Sequence, residues 1–251
     1  MSKKNLQLVQ NEKNERRQSN SLKITLDDMI TISAKTENQG QFMSQYRHKP
    51  AFLLHGCAGT GKTFIALYRA LEEVLDKQNG YGKVVIVRSA VPSRDIGHLP
   101  GSEEEKTEVY SAPYQSMCQE FFPGKDKPYQ RLVEQKHLEF MCTSYVRGIT
   151  LDHAVVIVDE CQNLNDMELN SIMTRVGVNT KIIFCGDFRQ TDLSKRYDMS
   201  GMRQFMITTE AMPSFCSVEF GPDDIVRSEL VKEYILARMQ YEDNYGITPS
   251  A

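Results

Sequence analysis

Ala51-Phe52-Leu53-Leu54-His55-Gly56-Cys57-Ala58-Gly59-Thr60-Gly61-Lys62-Thr63-Phe64 is the stretch that decides the fold of this 251-residue chain. Ala51 to Leu54 is a short apolar run that reads as a buried strand, and it breaks at Gly56 into a loop of small residues ending in Gly61, Lys62 and Thr63. The pattern is Gly-x-x-x-x-Gly-Lys-Thr, the P-loop. Its glycines let backbone N–H groups turn inward around phosphate oxygens. The helix that follows presents its N-terminal partial positive charge to the same anion. Gly56, Cys57, Ala58, Gly59, Thr60, Gly61, Lys62 and Thr63 are therefore the expected phosphate cradle. Lys62 reaches the β- and γ-phosphates and the Thr63 hydroxyl coordinates Mg²⁺. A glycine turn that merely happens to precede a helix lacks this order of strand, loop and helix. The expected ligand is a nucleoside triphosphate.

Beyond the loop, Phe64, Ile65, Leu67, Tyr68, Leu71, Val74 and Leu75 recur at helical spacing up to Asp76, and Asn79-Gly80 ends the helix. Lys83 to Arg88 is a near-continuous β-branched run, as in a parallel strand buried on both faces. Leu138–Thr143, Ala154–Val158 and Lys181–Cys185 read as further strands, with a helix over 166–177 between the last two. The predicted class is α/β, with a mostly parallel central sheet flanked by helices. Four of these strands release polar residues at their C-terminal ends, the edge where open parallel sheets bind ligands. A helix near Met199–Thr209, a strand at Phe215–Phe220, a turn at Gly221-Pro222 and an amphipathic helix from Ser228 to Asp243 complete the ordered region.

Three segments read differently. Residues 1–20 are almost wholly polar and are expected to form a disordered arm, and residues 244–251 a frayed end, leaving one domain over 21–243. Between 89 and 137, Pro92, Pro100, Gly101, Pro113, Pro123, Gly124 and Pro128 are expected to interrupt any long element. A punctuated segment of that length inside a compact domain is usually functional. It and Arg147 are the expected nucleic-acid surface, to be altered without loss of ATP binding.

Asp159-Glu160, at the end of the most hydrophobic strand, is the carboxylate pair a P-loop triphosphatase needs. Asp159 can hold the Mg²⁺ shell, while Glu160 polarises the attacking water. Gly186-Asp187-Phe188-Arg189-Gln190 closes the next strand, and an uncharged Gln190 can sense the γ-phosphate by hydrogen bonding. Arg227 precedes the last helix, and its guanidinium suits transition-state charge on the γ-phosphoryl group; on spacing alone it also reads as a surface arginine. Gln39, shortly before the P-loop strand, offers the donor and acceptor that an adenine edge requires.

A net charge of −3 argues against coating nucleic acid by bulk charge, although a local basic channel is compatible with it. Six scattered cysteines without a C-x-x-C pair fit a reducing cytoplasm. Five scattered histidines give no zinc spacing, and the sequence holds no apolar signal core or membrane-length run. The expectation is a soluble, cytoplasmic protein. The acids at 103–105, 152 and 223–224 show no spacing that singles out a second metal site, so they read as solvated.

Gly-Cys-Ala-Gly-Thr-Gly-Lys-Thr, Asp-Glu-Cys-Gln-Asn at 159–163 and Gly-Asp-Phe-Arg-Gln at 186–190 resemble the Walker A, Walker B and glutamine-sensor motifs of superfamily 1 helicases. More narrowly, Leu-Pro-Gly at 99–101, Ala-Pro-Tyr at 112–114, Arg-Gly-Ile-Thr-Leu at 147–151, Thr-Arg-Val-Gly at 174–177 and Asp-Ile-Val-Arg at 224–227 resemble the PhoH family of ATPases, in the same order. The resemblance covers residues 35–235. It implies a single RecA-like domain, a typically hexameric ring, hydrolysis of ATP with Mg²⁺, and action on single-stranded RNA or DNA, RNA preferred, as a helicase-like motor or ribonuclease partner. By the same resemblance Gln39 sits near adenine, Asp159 on Mg²⁺, Glu160 acts as base, Gln190 as sensor, Arg227 acts across a subunit boundary, and Arg147 serves the site or the pore.

Arg88-Ser89 stands where the family commonly has Arg-Pro, the segment up to Leu99-Pro100-Gly101 is one residue shorter, Ile149 replaces a usual arginine and Cys161 a usual alanine. These departures leave the ATPase residues intact and bear on the pore and nucleic-acid contacts. A compact, diverged chain suits a phage-encoded member. Two other readings stand beside the ring motor. One is an ATP-gated scaffold with slow hydrolysis. The other is a phosphotransferase resembling thymidine kinase, which would want a zinc-type cysteine lasso that these cysteines do not form.

Overall fold

The computed structural model describes residues 23–76, 78–89, 103–189 and 201–245. The expected N-terminal arm, Leu99-Pro100-Gly101, Gln190 and the residues beyond 245 lie outside the described residues. Six strands form one sheet: β1 (Ala51–Gly56), β2 (Lys83–Arg88), β3 (Leu138–Cys142), β4 (Ala154–Asp159), β5 (Lys181–Gly186) and β6 (Phe215–Phe220). Their order is β3-β2-β4-β5-β1-β6 and every pairing is parallel. The α/β sheet expected from the sequence is therefore present, and parallel throughout.

Helices cover both faces, which is why the central strands are buried at consecutive positions rather than at alternate ones. On one face Phe52, Leu54, Ile86 and Ile157 pack beneath α1 (Glu37–Gln45), α2 (Lys62–Leu75), α3 (Glu103–Phe121) and α4 (Pro128–Glu134). On the other, Leu53, Val87, Val156 and Phe184 meet α5 (Asp166–Met173) and α6 (Met202–Glu210). Only the edge strand β6 alternates, with Phe215, Val218 and Phe220 buried and Ser217 and Glu219 exposed. A last helix, α7 (Glu229–Tyr245), lies largely exposed.

Three elements differ from the sequence reading. The punctuated segment contains α3, a 19-residue helix that runs through Pro113. A proline inside a helix costs about 3 kcal/mol. Tyr114, Cys118 and Phe121, at helical spacing and all fully buried, outweigh it, since each large apolar side chain contributes roughly 1.5–3 kcal/mol on burial. Helix α1 is the second difference. Its start is capped by Thr36, whose side chain accepts from the Gln39 N–H at 3.4 Å. Helix α5 stops at Met173, short of 177, because Leu151 and Val176 form a bridge there.

At the end of β1 the chain turns through Gly56 at φ 122°, where the Cys57 N–H donates to the Phe220 carbonyl at 2.8 Å. A Cβ on Gly56 would overlap that same carbonyl oxygen. Gly56→Ala is expected to cost roughly 3 kcal/mol or more, through both overlap and the disfavoured φ. At about 2–4 °C per kcal/mol for a chain of this size, calorimetry should show Tm lower by about 6 °C or more. Gly148→Ala, at φ 85° but with nothing within 4 Å of the added carbon, should lose only about 1–2 kcal/mol. Equal losses in the two variants would refute the close-approach argument.

Candidate active site

The strand order puts β5 between β1 and β4, so Gly186-Asp187 emerges between the P-loop and the acidic pair. A cleft of about 580 Å³ opens at this edge. It is lined by Gln39, Gly59 to Ile65, Arg88, Asp159, Glu160, Cys185 to Asp187, Val226 and Arg227, and from α3 by Pro113, Ser116, Met117 and Glu120.

The P-loop folds around its own lysine. Gly59 and Gly61 take φ of 75° and 79°, and Gly61 in that left-handed conformation begins α2. Lys62 is 4% exposed. Its Nζ donates to the Cys57 carbonyl at 2.7 Å and to Thr60 Oγ1 at 3.2 Å, and pairs with Asp187 Oδ1 at 2.8 Å. The lysine is thus held over the loop by groups that an incoming phosphate would partly replace.

Asp159 is buried, and both its oxygens are satisfied. The Thr63 hydroxyl donates to Oδ1 at 2.7 Å, and the Tyr114 hydroxyl to Oδ2 at 2.6 Å. Burial, reinforced by the Asp159 carboxylate, pushes the Tyr114 phenol far above its ordinary range, so it is a fixed donor. Glu160 follows in the left-handed region at φ 53°, a conformation worth roughly 1–2 kcal/mol of strain for a residue with a Cβ. Its pKa is raised by burial and by the Asp159 and Asp187 carboxylates, against the opposing influence of the Gln162 amide and Arg88. A carboxylate shifted upward is a better proton acceptor near neutrality. Arg88 Nη2 stands 3.9 Å from Glu160 Oε1.

Arg227 lies beside the P-loop of its own chain. The Val226 N–H donates to the Gly59 carbonyl at 3.0 Å, and a Cβ built on Gly59 would lie 3.0 Å from Arg227 Cγ. The turn that carries it is anchored by buried Asp224, which accepts from Asn38 Nδ2 at 2.7 Å and the Gly221 N–H at 2.8 Å. The anchored turn places Arg227 beside the loop of its own chain, where the resemblance implied action across a subunit boundary. Helix α7 backs the same loop, with Ile235 near Gly59 and Met239 Sδ 3.8 Å from Cys57 Sγ.

Gln39 is also at the loop, but its amide is engaged at both ends. Nε2 donates to the Thr60 carbonyl at 2.9 Å, and Oε1 accepts from the Lys35 N–H at 2.9 Å. Arg147 is not brought to the cleft. It is exposed, with Nη2 3.6 Å from Met167 Sδ, because it follows edge strand β3, and β2, β4 and β5 separate β3 from β1. Within this chain Arg147 therefore stands apart from the cleft, whereas part of the punctuated segment, α3, walls it.

The residues that the motifs did not single out are Arg88 and Tyr114. Arg88 had a signal: it ends its strand as Asp159 ends β4, and the two are register partners. Tyr114 had none beyond its place in Ala-Pro-Tyr, because the contact spans 45 residues.

Thr63 and Asp159 stand together as Mg²⁺ ligands must, and no cluster of three or more His, Cys, Asp or Glu suited to a metal occurs among the described residues. None of the six cysteines forms a disulfide. No described helix is long and apolar enough to cross a membrane.

The family model described as PhoH-like protein matches residues 31–239. PhoH-like proteins of Synechocystis and Bacillus subtilis are each 32% identical, over 88% and 82% of this chain and 65% and 64% of their own lengths. Protein PhoH of Escherichia coli is 30% identical over 84% of the chain and 59% of its own length. The chain therefore spans less than two thirds of the length of these relatives. Among solved structures, the large terminase of a thermophilic bacteriophage in complex with ADP shares the fold at TM-score 0.52 and 14% identity, over 84% of this chain and 50% of the terminase chain. The same terminase with ATP-γ-S has TM-score 0.52.

Because Asp187 competes with phosphate for Lys62, Asp187→Asn should tighten ADP binding. A partly exposed pair contributes about 0.2–1 kcal/mol, so the dissociation constant is expected to fall by up to about fivefold. Titration with a fluorescent ADP analogue measures this, and weaker binding would show that Asp187 holds the lysine for the nucleotide rather than against it.

Proposed function

The chain belongs to the PhoH-like family, and from that premise we propose that it is a Mg²⁺-dependent ATPase acting on single-stranded nucleic acid, RNA preferred. The observation that supports this best is the convergence of Lys62, the Thr63–Asp159 pair, Glu160 and Arg227 on one cleft.

In this reading the P-loop amides and Lys62 bind the β- and γ-phosphates, Lys62 exchanging Asp187 for phosphate oxygen. Thr63 and Asp159 would hold Mg²⁺, which when bound offsets phosphate charge. Glu160 orients a water for in-line attack on the γ-phosphorus and accepts its proton as the bond to the β,γ-bridging oxygen breaks, giving ADP and phosphate. Arg227 stabilises charge on the transferring group. Gln190 remains the proposed γ-phosphate sensor, and Gln39, fixed against Thr60, borders the base with its remaining amide hydrogen. The ring reading carries over from the family resemblance as a homo-oligomer, typically hexameric. With Arg227 in cis, a neighbouring copy is needed for coupling to nucleic-acid movement rather than for the chemistry.

Steady-state ATP turnover over a protein-concentration series, with and without single-stranded RNA and with Lys62→Ala as blank, tests both parts. Basal turnover per chain should be flat with concentration, RNA should raise it, and Arg227→Ala should lower it by about 10³-fold or more. Mixing Arg227→Ala with Lys62→Ala should restore nothing; recovery on mixing would place the arginine's action between subunits. Indifference to RNA and to single-stranded DNA would favour the ATP-gated scaffold.

A further inference from the structure

Gln162 lies two residues past the acidic pair, and the mechanism above leaves it without a role. It sits in a short 3-10 turn, Cys161–Asn163, closed by the Asn163 N–H to the Glu160 carbonyl at 3.0 Å and the Leu164 N–H to the Cys161 carbonyl at 3.1 Å. Cys161 is fully buried against the sheet, so the turn cannot rotate and the direction of Gln162 is set. Its Nε2 donates to Glu160 Oε2 at 2.6 Å, and its Oε1 accepts from the Asp187 N–H at 3.1 Å. Both ends of the amide are used, and only this orientation serves: reversed, it would set oxygen against carboxylate and NH₂ against N–H.

We propose that Gln162 is a positioning residue that fastens the Glu160 carboxylate to the backbone of Asp187. The proposal rests on reading Glu160 as the base. A glutamate side chain has three rotatable bonds, and this one projects from a left-handed backbone into a cleft. Arg88, at 3.9 Å, is too far to hydrogen-bond it. The Gln162 amide donates directly to that carboxylate. Asp187 in turn holds Lys62 at 2.8 Å, so one amide joins the group that would activate water to the segment touching the phosphate-binding lysine. Misplacing a catalytic group by about 1 Å can cost a hundredfold in rate, so loss of this tether should fall on turnover and not on nucleotide affinity.

The test is a double-mutant cycle of Gln162→Leu and Glu160→Gln, with kcat, KM for ATP, affinity for a fluorescent ADP analogue and Tm measured for each protein. Gln162→Leu keeps the bulk and removes the amide, and is expected to lower kcat by about 10–100-fold with KM and ADP affinity within about twofold of wild type. In the Glu160→Gln background the same substitution should change residual turnover by less than about twofold, because Gln162 acts through Glu160. Gln162→Glu, which cannot donate, should match Gln162→Leu in direction and guards against a packing defect in either variant. Unchanged kcat in both Gln162 variants, equal cost in both backgrounds, or a kcat loss tracking a rise in KM and a fall in Tm would overturn the proposal. If instead Glu160→Gln keeps full turnover, it is the assignment of the base that fails, and the proposal falls with it.

Discussion

A carboxylate at the end of a wholly buried strand is the constraint around which the molecule is arranged. Asp159 completes β4, where every residue is buried, and its charge would be prohibitively costly there without partners. The Thr63 and Tyr114 hydroxyls supply them, one on each oxygen. Each bond contributes about 1.5–3 kcal/mol because it goes to a charged group. The two donors also bring together the start of α2 and the middle of α3, which are remote in sequence. The P-loop helix and the helix that walls the cleft are thereby located by the same side chain.

The P-loop is held from several sides. Gln39 ties its Thr60 carbonyl to α1, the Val226 N–H ties its Gly59 carbonyl to the turn after β6, and Phe220 takes the Cys57 N–H. Asp224 stabilises that turn in a pH-dependent way. Burial alone would raise its pKa, but hydrogen bonds from Thr36, Asn38 and the Gly221 backbone lower it overall. A depressed folded pKa means stability present above the unfolded carboxylate pKa and lost as pH falls through the folded value. The turn bearing Arg227 is therefore acid-sensitive, while at neutral pH the arginine stays beside the loop.

Lys62 illustrates how such a site balances binding against preorganisation. A buried ammonium without a counterion would be unstable, so Asp187, the Cys57 carbonyl and Thr60 satisfy it. The same contacts oppose the phosphate, and because Asp187 is substantially exposed, that opposition is small. Membership of the PhoH-like family and the RecA-like P-loop fold are consistent with this local physics without being needed to derive it.

The strands, the phosphate loop and the acidic pair were legible from residue order because each depends on local signals: apolar runs of six residues, glycines before Lys62, and acids ending an apolar strand. The terminal boundaries of the helices and the course of residues 103–121 were not. Prolines speak for the chain's local preference, whereas α3 is held by burial of Tyr114 and Phe121 against partners far away in sequence. The placement of Arg227 beside the P-loop of its own chain, the remoteness of Arg147 from the cleft, and the contacts of Tyr114 and Gln162 depend on strand order. The sequence by itself determined that a P-loop and a carboxylate pair exist on an α/β sheet, since those are patterns within short segments. Only the tertiary structure decided which side chains complete them, because placing β5 between β1 and β4 is a matter of packing two buried faces at once, and no short segment carries that information.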